Sequence, residues 1–318
     1  ILVGTHSLIE DKVRFKNIGI VIIDEQHRFG VAQRAKLWYK NNFPPHVLVM
    51  TATPIPRTLA MSVYGDLDFS IIRELPPGRK QIKTFLMGEN NRLRLFKFLK
   101  EQIELGKQIF IVYPLIEESQ KMDYKDLMDG YESICREFPL PKYRISVMHG
   151  KMKTEDKDYE MKRFLEGKSQ IMVSTTVIEV GVNIPNANVM VIESAERFGL
   201  SQLHQLRGRV GRGTKESFCI LMHSETLSEI SKERLRIITE TSDGFSIAES
   251  DLKLRGPGDI LGLSQTGLPS FTFYDLLSNK ELQNEADKYA KEIIKLPVES
   301  QRKIIERWFP AHLELSDV

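Results

Sequence analysis

Cysteine is scarce in these 318 residues, and so are most features that would take the chain outside the ordinary globular class. The only two, Cys135 and Cys219, sit inside helical or strand-like apolar patterns. That predicts buried thiols in a reducing compartment, by default the cytoplasm, over a disulfide framework. No apolar run approaches the roughly 20 residues that cross a bilayer, so nothing points to a membrane protein. Charge of one sign is also lacking: 45 Lys and Arg face 43 Asp and Glu, a net of +2. That total is too small to name a nucleic-acid partner, which binds through a local basic surface. There is no repeat of fixed period and no low-complexity segment. The opening Ile1-Leu2-Val3-Gly4 has no initiator Met, basic n-region or cleavage site, which reads as a piece of a longer protein and not a signal peptide.

What is present is ordinary in bulk, with 41% hydrophobic and 28% charged residues, and long enough for two compact units with their own cores. Short apolar, β-branched runs recur at 18–23, 47–50, 109–112, 145–148, 171–173, 189–192 and 218–221, with helical stretches between them. This alternation predicts an α/β chain with a parallel sheet covered on both faces. Pro76-Pro77-Gly78-Arg79-Lys80 can continue neither a helix nor a central strand, so a domain boundary is expected at 78/79. From about residue 245 a Gly-rich stretch, Leu254-Arg255-Gly256-Pro257-Gly258-Asp259, precedes a polar helix near 274–294. Residues 245–318 therefore read as an appended tail and not a third sheet domain.

Four stretches carry chemistry. Residues 18–23 end in Asp24-Glu25-Gln26-His27, placing paired carboxylates at the carboxyl edge of a sheet, where open α/β folds bind ligands. In a nucleotide hydrolase the first acid holds Mg²⁺ and the second acts on the attacking water. A solvated strand end is the plain alternative. Thr51-Ala52-Thr53-Pro54 follows the next run, and its hydroxyls could relay the state of the acids or simply cap a helix. Ser174-Thr175-Thr176, with Gly181 nearby, offers donors to phosphate or ribose, although an ordinary strand-to-helix turn looks similar. In Gln205-Leu206-Arg207-Gly208-Arg209-Val210-Gly211-Arg212-Gly213, three arginines alternate with glycines. Fixed positive charge on a closely approaching backbone suits stabilisation of a γ-phosphate, and a solvated basic loop does not explain the alternation.

The joint order of Asp-Glu-Gln-His, Thr-Ala-Thr, Ser-Thr-Thr-Val-Ile-Glu-Val-Gly-Val-Asn and Gln-x-x-Gly-Arg-x-Gly-Arg resembles motifs II, III, V and VI of superfamily 2 helicases. More narrowly, residues 24–31, Tyr113-Pro114-Leu115-Ile116-Glu117-Glu118-Ser119 and the tail Asp251 to Gly258 are similar to the RecG family of branched-DNA translocases, over essentially the whole chain. The resemblance implies part of a first RecA-like motor domain (1–78), a complete second RecA-like domain (79–244) and a helical hairpin tail (245–318). It implies ATP and Mg²⁺ as cofactors, with Asp24 on the metal, Glu25 on the water, and Arg209 and Arg212 as arginine fingers. Gln26, His27, Thr51, Thr53, Gly181 and Gln205 would couple the nucleotide to movement. Thr5, Thr175, Thr176, Arg255 and Gly256 would serve DNA contact or translocation. Asn183 stands where many relatives have Asp, which puts a carboxylate role there in doubt. The implied partners are double-stranded and branched DNA and, as a candidate, single-stranded DNA-binding protein. The implied state is a monomer in the bacterial cytoplasm, associated with the nucleoid.

A phosphate loop is missing from these residues. Gly106-Lys107 and Gly150-Lys151 lack the hydroxyl that must follow. Gly167-Lys168-Ser169 has it, but Lys162 stands in place of the first glycine, and the segment joins a helix to a strand, the reverse of the required order. In RecG proteins that loop and a wedge domain lie upstream, so this stretch alone is expected to turn over ATP poorly. A transcription-repair coupling factor motor and a DNA-docking module without activity are the rival readings.

Overall fold

The structure, a computed structural model, describes residues 1–10, 12–25, 45–51, 68, 70–72, 74, 78, 80–114, 120–175, 184, 186–255 and 280–308. The chain forms two compact units, residues 1–65 with 262–318 and residues 66–261.

In the first unit β1 (Ile20–Ile23) pairs in parallel with β2 (His46–Val49), and a short 3-10 helix, His6–Ile9, packs Ile9 against Ile23. Helices Lys280–Ile293 and Val298–Trp308 belong to the same unit. Among the described residues the Val21/Ile23 side of this pair packs on Ile9 and Val47, while Ile20 and Ile22, on the other side by the alternation of successive side chains, are 61% and 59% exposed. Of the expected tail helix, the part from Lys280 is present; residues before it lie outside the described ones.

The second unit is built on a six-stranded, all-parallel sheet. Its strands are β3 (Lys83–Gly88), β4 (Gln108–Tyr113), β5 (Ile145–Met148), β6 (Ile171–Thr175), β7 (Ala187–Ile192) and β8 (Phe218–His223), in the spatial order β3-β8-β7-β4-β6-β5. The helices are α1 (Arg92–Glu104), α2 (Gln120–Glu137), α3 (Thr154–Leu165), α4 (Leu200–Arg207), α5 (Glu229–Glu240) and α6 (Gly244–Arg255). Strands β4, β6 and β7 are buried at every position and rich in Ile, Val, Phe and Met, as a sheet covered on both faces requires. Alternation sorts them cleanly. Phe110, Met172, Met190 and Leu221 face a core with Phe164 of α3, Leu203 of α4, Leu235 of α5 and Ile247 of α6. Ile109, Ile111, Val173, Val191 and Ile220 face Leu95 and Leu99 of α1 and Leu127 and Ile134 of α2. The result is a three-layer domain.

β3 is absent from the apolar runs read in the sequence. It is an edge strand beginning at Lys83-Thr84, its short apolar run Phe85-Leu86-Met87 contains no β-branched residue, and Phe85 and Leu86 are about half exposed. The two cysteines also differ from expectation. Cys219 on β8 is fully buried, but Cys135 on α2 is only half-buried; both are free thiols. The Gly167-Lys168-Ser169 triplet is a helix-to-strand turn. Gly167 takes φ +70° after α3, and Ser169 is buried with its hydroxyl 2.8 Å from that of Ser146. Among the described residues no helix is long and apolar enough to cross a membrane.

Candidate functional site

Strand β1 delivers the paired acids. Its register pairs Ile23 with Val49, and the Met50 N–H donates to the Ile23 carbonyl at 2.8 Å, so Asp24-Glu25 and Thr51 leave neighbouring strands at the same edge. Asp24 is exposed and Glu25 partly buried. Glu25 takes φ 52°, in the left-handed region that a residue with a Cβ adopts at a cost of roughly 1 kcal/mol. The turn is held locally, since the Glu25 N–H donates to Asp24 Oδ1 at 2.9 Å. Asp24 makes no ion pair among the described residues, which leaves a carboxylate at the end of a parallel strand open to a cation. Gln26, His27 and Thr53 lie outside the described residues.

Thr5 is the N-cap residue of the 3-10 helix, but its side chain makes no capping hydrogen bond. Its exposed hydroxyl is 2.9 Å from that of Ser7 while its carbonyl accepts from the Leu8 N–H.

In the second unit the three arginines read together in sequence separate into different roles. Arg207, the last residue of α4, is 4% exposed and donates to the carbonyls of Ile238 at 2.7 Å and Thr241 at 2.9 Å, with His204 Nδ1 at 3.0 Å. It satisfies carbonyls at the C-terminal end of α5 that the helix cannot pair internally. Burial lowers its pKa, and burial together with the Arg207 charge holds His204 down at about 4, so the ring is neutral and accepts. Arg209 is half-buried, and its guanidinium makes no hydrogen bond or ion pair with any described residue. Arg212 is exposed. Gly211 needs no ligand to explain it: its φ is +73°, and a Cβ there would lie 2.9 Å from Ile82 Cγ1. Gln205 is half-buried on α4.

Thr175 closes β6 with its hydroxyl buried and unpartnered among the described residues, as is that of Ser174. Its register partner is Tyr113, and the Glu193 N–H donates to the Val112 carbonyl, so β4, β6 and β7 end side by side where the chain switches from one half of the sheet to the other. Thr176 and Gly181 lie outside the described residues; Arg255 ends α6, and Gly256 lies beyond the described part.

This edge also holds an acid that is absent from the candidate residues of the sequence. Glu193, 4% exposed, receives two hydrogen bonds of 2.8 Å from Arg92, a bidentate pair joining the start of α1 to the end of β7. The hydrogen bond to Glu193 raises the Arg92 pKa against the opposing effect of burial. Tyr113 beside them has its phenol pKa raised, chiefly by burial and then by the Glu193 charge. The signal was available: an acid directly after a buried run, the pattern that singled out Asp24.

Comparison with known proteins gives the class first. Residues 1–62 match the DEAD/DEAH box helicase family, 93–214 the helicase conserved C-terminal domain, and 241–302 the C-terminal part of domain 3 of the ATP-dependent DNA helicase RecG. These are the RecA-like domains of a helicase. The chain is 51% identical to the ATP-dependent DNA helicase RecG of Bacillus subtilis over 92% of its own length and 43% of that protein. With RecG of Aquifex aeolicus it shares 52% identity over 93% of its length and 38% of the relative. A solved structure of RecG bound to a three-way DNA junction superposes with a TM-score of 0.67 at 47% identity, over 88% of this chain and 35% of that one. The chain belongs to the RecG family, and it spans less than half the length of these relatives.

Proposed function

We propose that the protein containing this chain is an ATP-driven translocase on double-stranded DNA that remodels branched DNA, such as stalled forks and Holliday junctions, in recombination and repair. The observation that carries this reading is the edge formed by β1 and β2, where Asp24, Glu25 and Thr51 emerge together beneath an otherwise apolar strand pair. Relatives named as ATP-dependent DNA helicases support it, as does the junction-bound relative. In this reading Asp24 holds Mg²⁺, which when bound neutralises phosphate charge, and the exposed, unpaired carboxylate fits that task. Glu25 orients and deprotonates the attacking water, and Arg209 and Arg212 meet the charge that develops on the γ-phosphate. Gln26, His27, Thr51, Thr53, Gly181 and Gln205 couple that event to Thr5, Thr175, Thr176, Arg255 and Gly256, which serve DNA contact and translocation. The division at 78/79 and 244/245 follows these roles. The protein works as a monomer in the bacterial cytoplasm at the nucleoid, with single-stranded DNA-binding protein as a candidate partner. The 318 residues alone turn over little ATP, because they contain no phosphate loop.

ATPase assays of the full-length protein on forked, linear and single-stranded DNA test this. Forked DNA should stimulate most, and Glu25→Gln should lower turnover by roughly 10²–10⁴-fold. Turnover indifferent to DNA and to Glu25→Gln would overturn the reading.

A further inference from the structure

The loop that carries Arg209 and Arg212 is built around one left-handed turn. α4 tightens beyond its last residue: the Gly208 N–H donates to the His204 carbonyl at 3.0 Å, and those of Arg209 and Val210 donate to the carbonyls of Leu206 and Arg207 at 3.0 and 3.4 Å. Gly211 at φ +73° then ends the coil, in the conformation that commonly stops a helix. Arg209 therefore lies on the last turn and Arg212 one residue beyond the reversal. The conformation of Gly211 sets how the two arginines are aimed relative to each other.

Two anchors hold that turn. On one side Val210 is fully buried in the core shared with Leu203 of α4 and Leu235 of α5. On the other stands Ile82, the residue before β3, which packs against the same core. A Cβ on Gly211 would lie 2.9 Å from Ile82 Cγ1, 3.3 Å from its Cδ1 and 3.4 Å from Ser217 Cβ. No side chain fits there, so the glycine backbone lies directly against the isoleucine. Ile82 is itself held through both neighbours. The Gln81 side chain donates to the Ser242 hydroxyl at 2.8 Å, the Lys83 N–H donates to the Ser217 carbonyl at 3.0 Å, and the Lys83 ammonium meets Glu216 at 2.9 Å. Branching at Cβ leaves the isoleucine few alternative rotamers.

We infer that Ile82 is a positioning residue for the arginine pair, a role that rests on the reading of Arg209 and Arg212 as the groups that meet charge on the γ-phosphate. By filling the space beside Gly211 it keeps the left-handed turn in one conformation, and so fixes where the two guanidinium groups lie. Ile82 is apolar and acts through Gly211 alone. An arginine that meets charge as it develops stabilises the transition state and adds little to ground-state binding. Loosening the turn should therefore lower kcat and spare KM.

Steady-state ATPase of the full-length protein on forked DNA tests this. Ile82→Ala should lower kcat by roughly tenfold with KM for ATP unchanged, since a misplacement of about 1 Å costs up to about 10²-fold. Affinity for ADP with aluminium fluoride, a mimic of the transferring phosphate, should fall by the same factor, and affinity for AMP-PNP should hold. Ile82→Val keeps a γ carbon beside Gly211 and should restore most of kcat. Met161→Ala, which trims a side chain packed on the same core from α3, should lower the melting temperature and leave kcat unchanged. In an Arg209→Ala/Arg212→Ala background, Ile82→Ala should change kcat by less than about twofold further, because residues that act as one unit are not additive. Wild-type kcat in Ile82→Ala, an equal loss in Met161→Ala, or an undiminished loss in the background without the arginines would overturn the role of Ile82 alone. Wild-type kcat in Arg209→Ala/Arg212→Ala would instead overturn the reading of the arginines, and the role of Ile82 with it.

Discussion

Two strands of this molecule end almost alike. β1 closes with Ile23, Asp24 and Glu25 at φ 52°, and β7 with Ile192, Glu193 and Ser194 at φ 47°. Each places an acid one step past a buried apolar residue and then turns through the left-handed region. The acids nonetheless do opposite things. Asp24 is exposed and has no cation beside it among the described residues, whereas Glu193 is buried and clasped by Arg92. The difference lies outside both motifs, in one arginine 101 positions away from Glu193. An acid at a strand end becomes a tie when the fold brings its cation, and stays available for a ligand when it does not.

The largest expected effect comes from removing the available charge. In the full-length protein Asp24→Asn should lower ATP turnover by roughly 10²–10⁴-fold, while urea-induced unfolding shifts by less than about 0.5 kcal/mol. A large loss of stability there would erase the distinction between the two strand ends. Arg92→Ala should do the reverse of Asp24→Asn in the folding assay. It leaves Glu193 buried and unpaired, and a destabilisation of about 3 kcal/mol is expected, at the low end for a broken buried pair because the Arg92 side chain is 31% exposed. Adding Glu193→Gln to it should recover part of that loss, and additive losses would remove the clasp from the account.

The third test concerns acid. The unfolded imidazole of His204 takes its proton near pH 6.5 and the folded one near 4. Between those values the unfolded chain binds more protons, so stability present above pH 6.5 is lost as pH falls toward 4, by roughly 3 kcal/mol. His204→Asn, measured by denaturation at pH 7 and pH 4.5, should flatten that slope. The smallest effect tests the shared turn: Ser194→Gly should stabilise the fold by about 0.5 kcal/mol or less, since relief of the positive φ is partly offset by a more flexible unfolded chain. A clear destabilisation would mean that the Ser194 side chain matters more than its backbone.

The central strands were legible because burial on both faces leaves an unbroken apolar run, as in residues 109–112 and 189–192. β3 was not, because an edge strand that opens on Lys83 and half exposes Phe85 and Leu86 offers a run of three apolar residues with no β-branched side chain among them. Of the candidate site, the edge at Asp24 and Thr51 could be read from local pattern, since each residue directly follows its strand. The separation of Arg207 from Arg209 could not, because it depends on where the α5 carbonyls fall, more than thirty residues further along the chain. The close packing of Gly211 on Ile82 could not be read either, since it is a contact that no spacing rule contains.

The contrast between the two thiols gives the chain a built-in labelling site. Burial pushes the Cys219 thiol up to about 12, which keeps it protonated and out of reach of alkylating dyes. Cys135, on the half-exposed side of α2, is left as the one position within these 318 residues where a maleimide fluorophore can attach. In these 318 residues a dye would therefore report on α2 of the second unit.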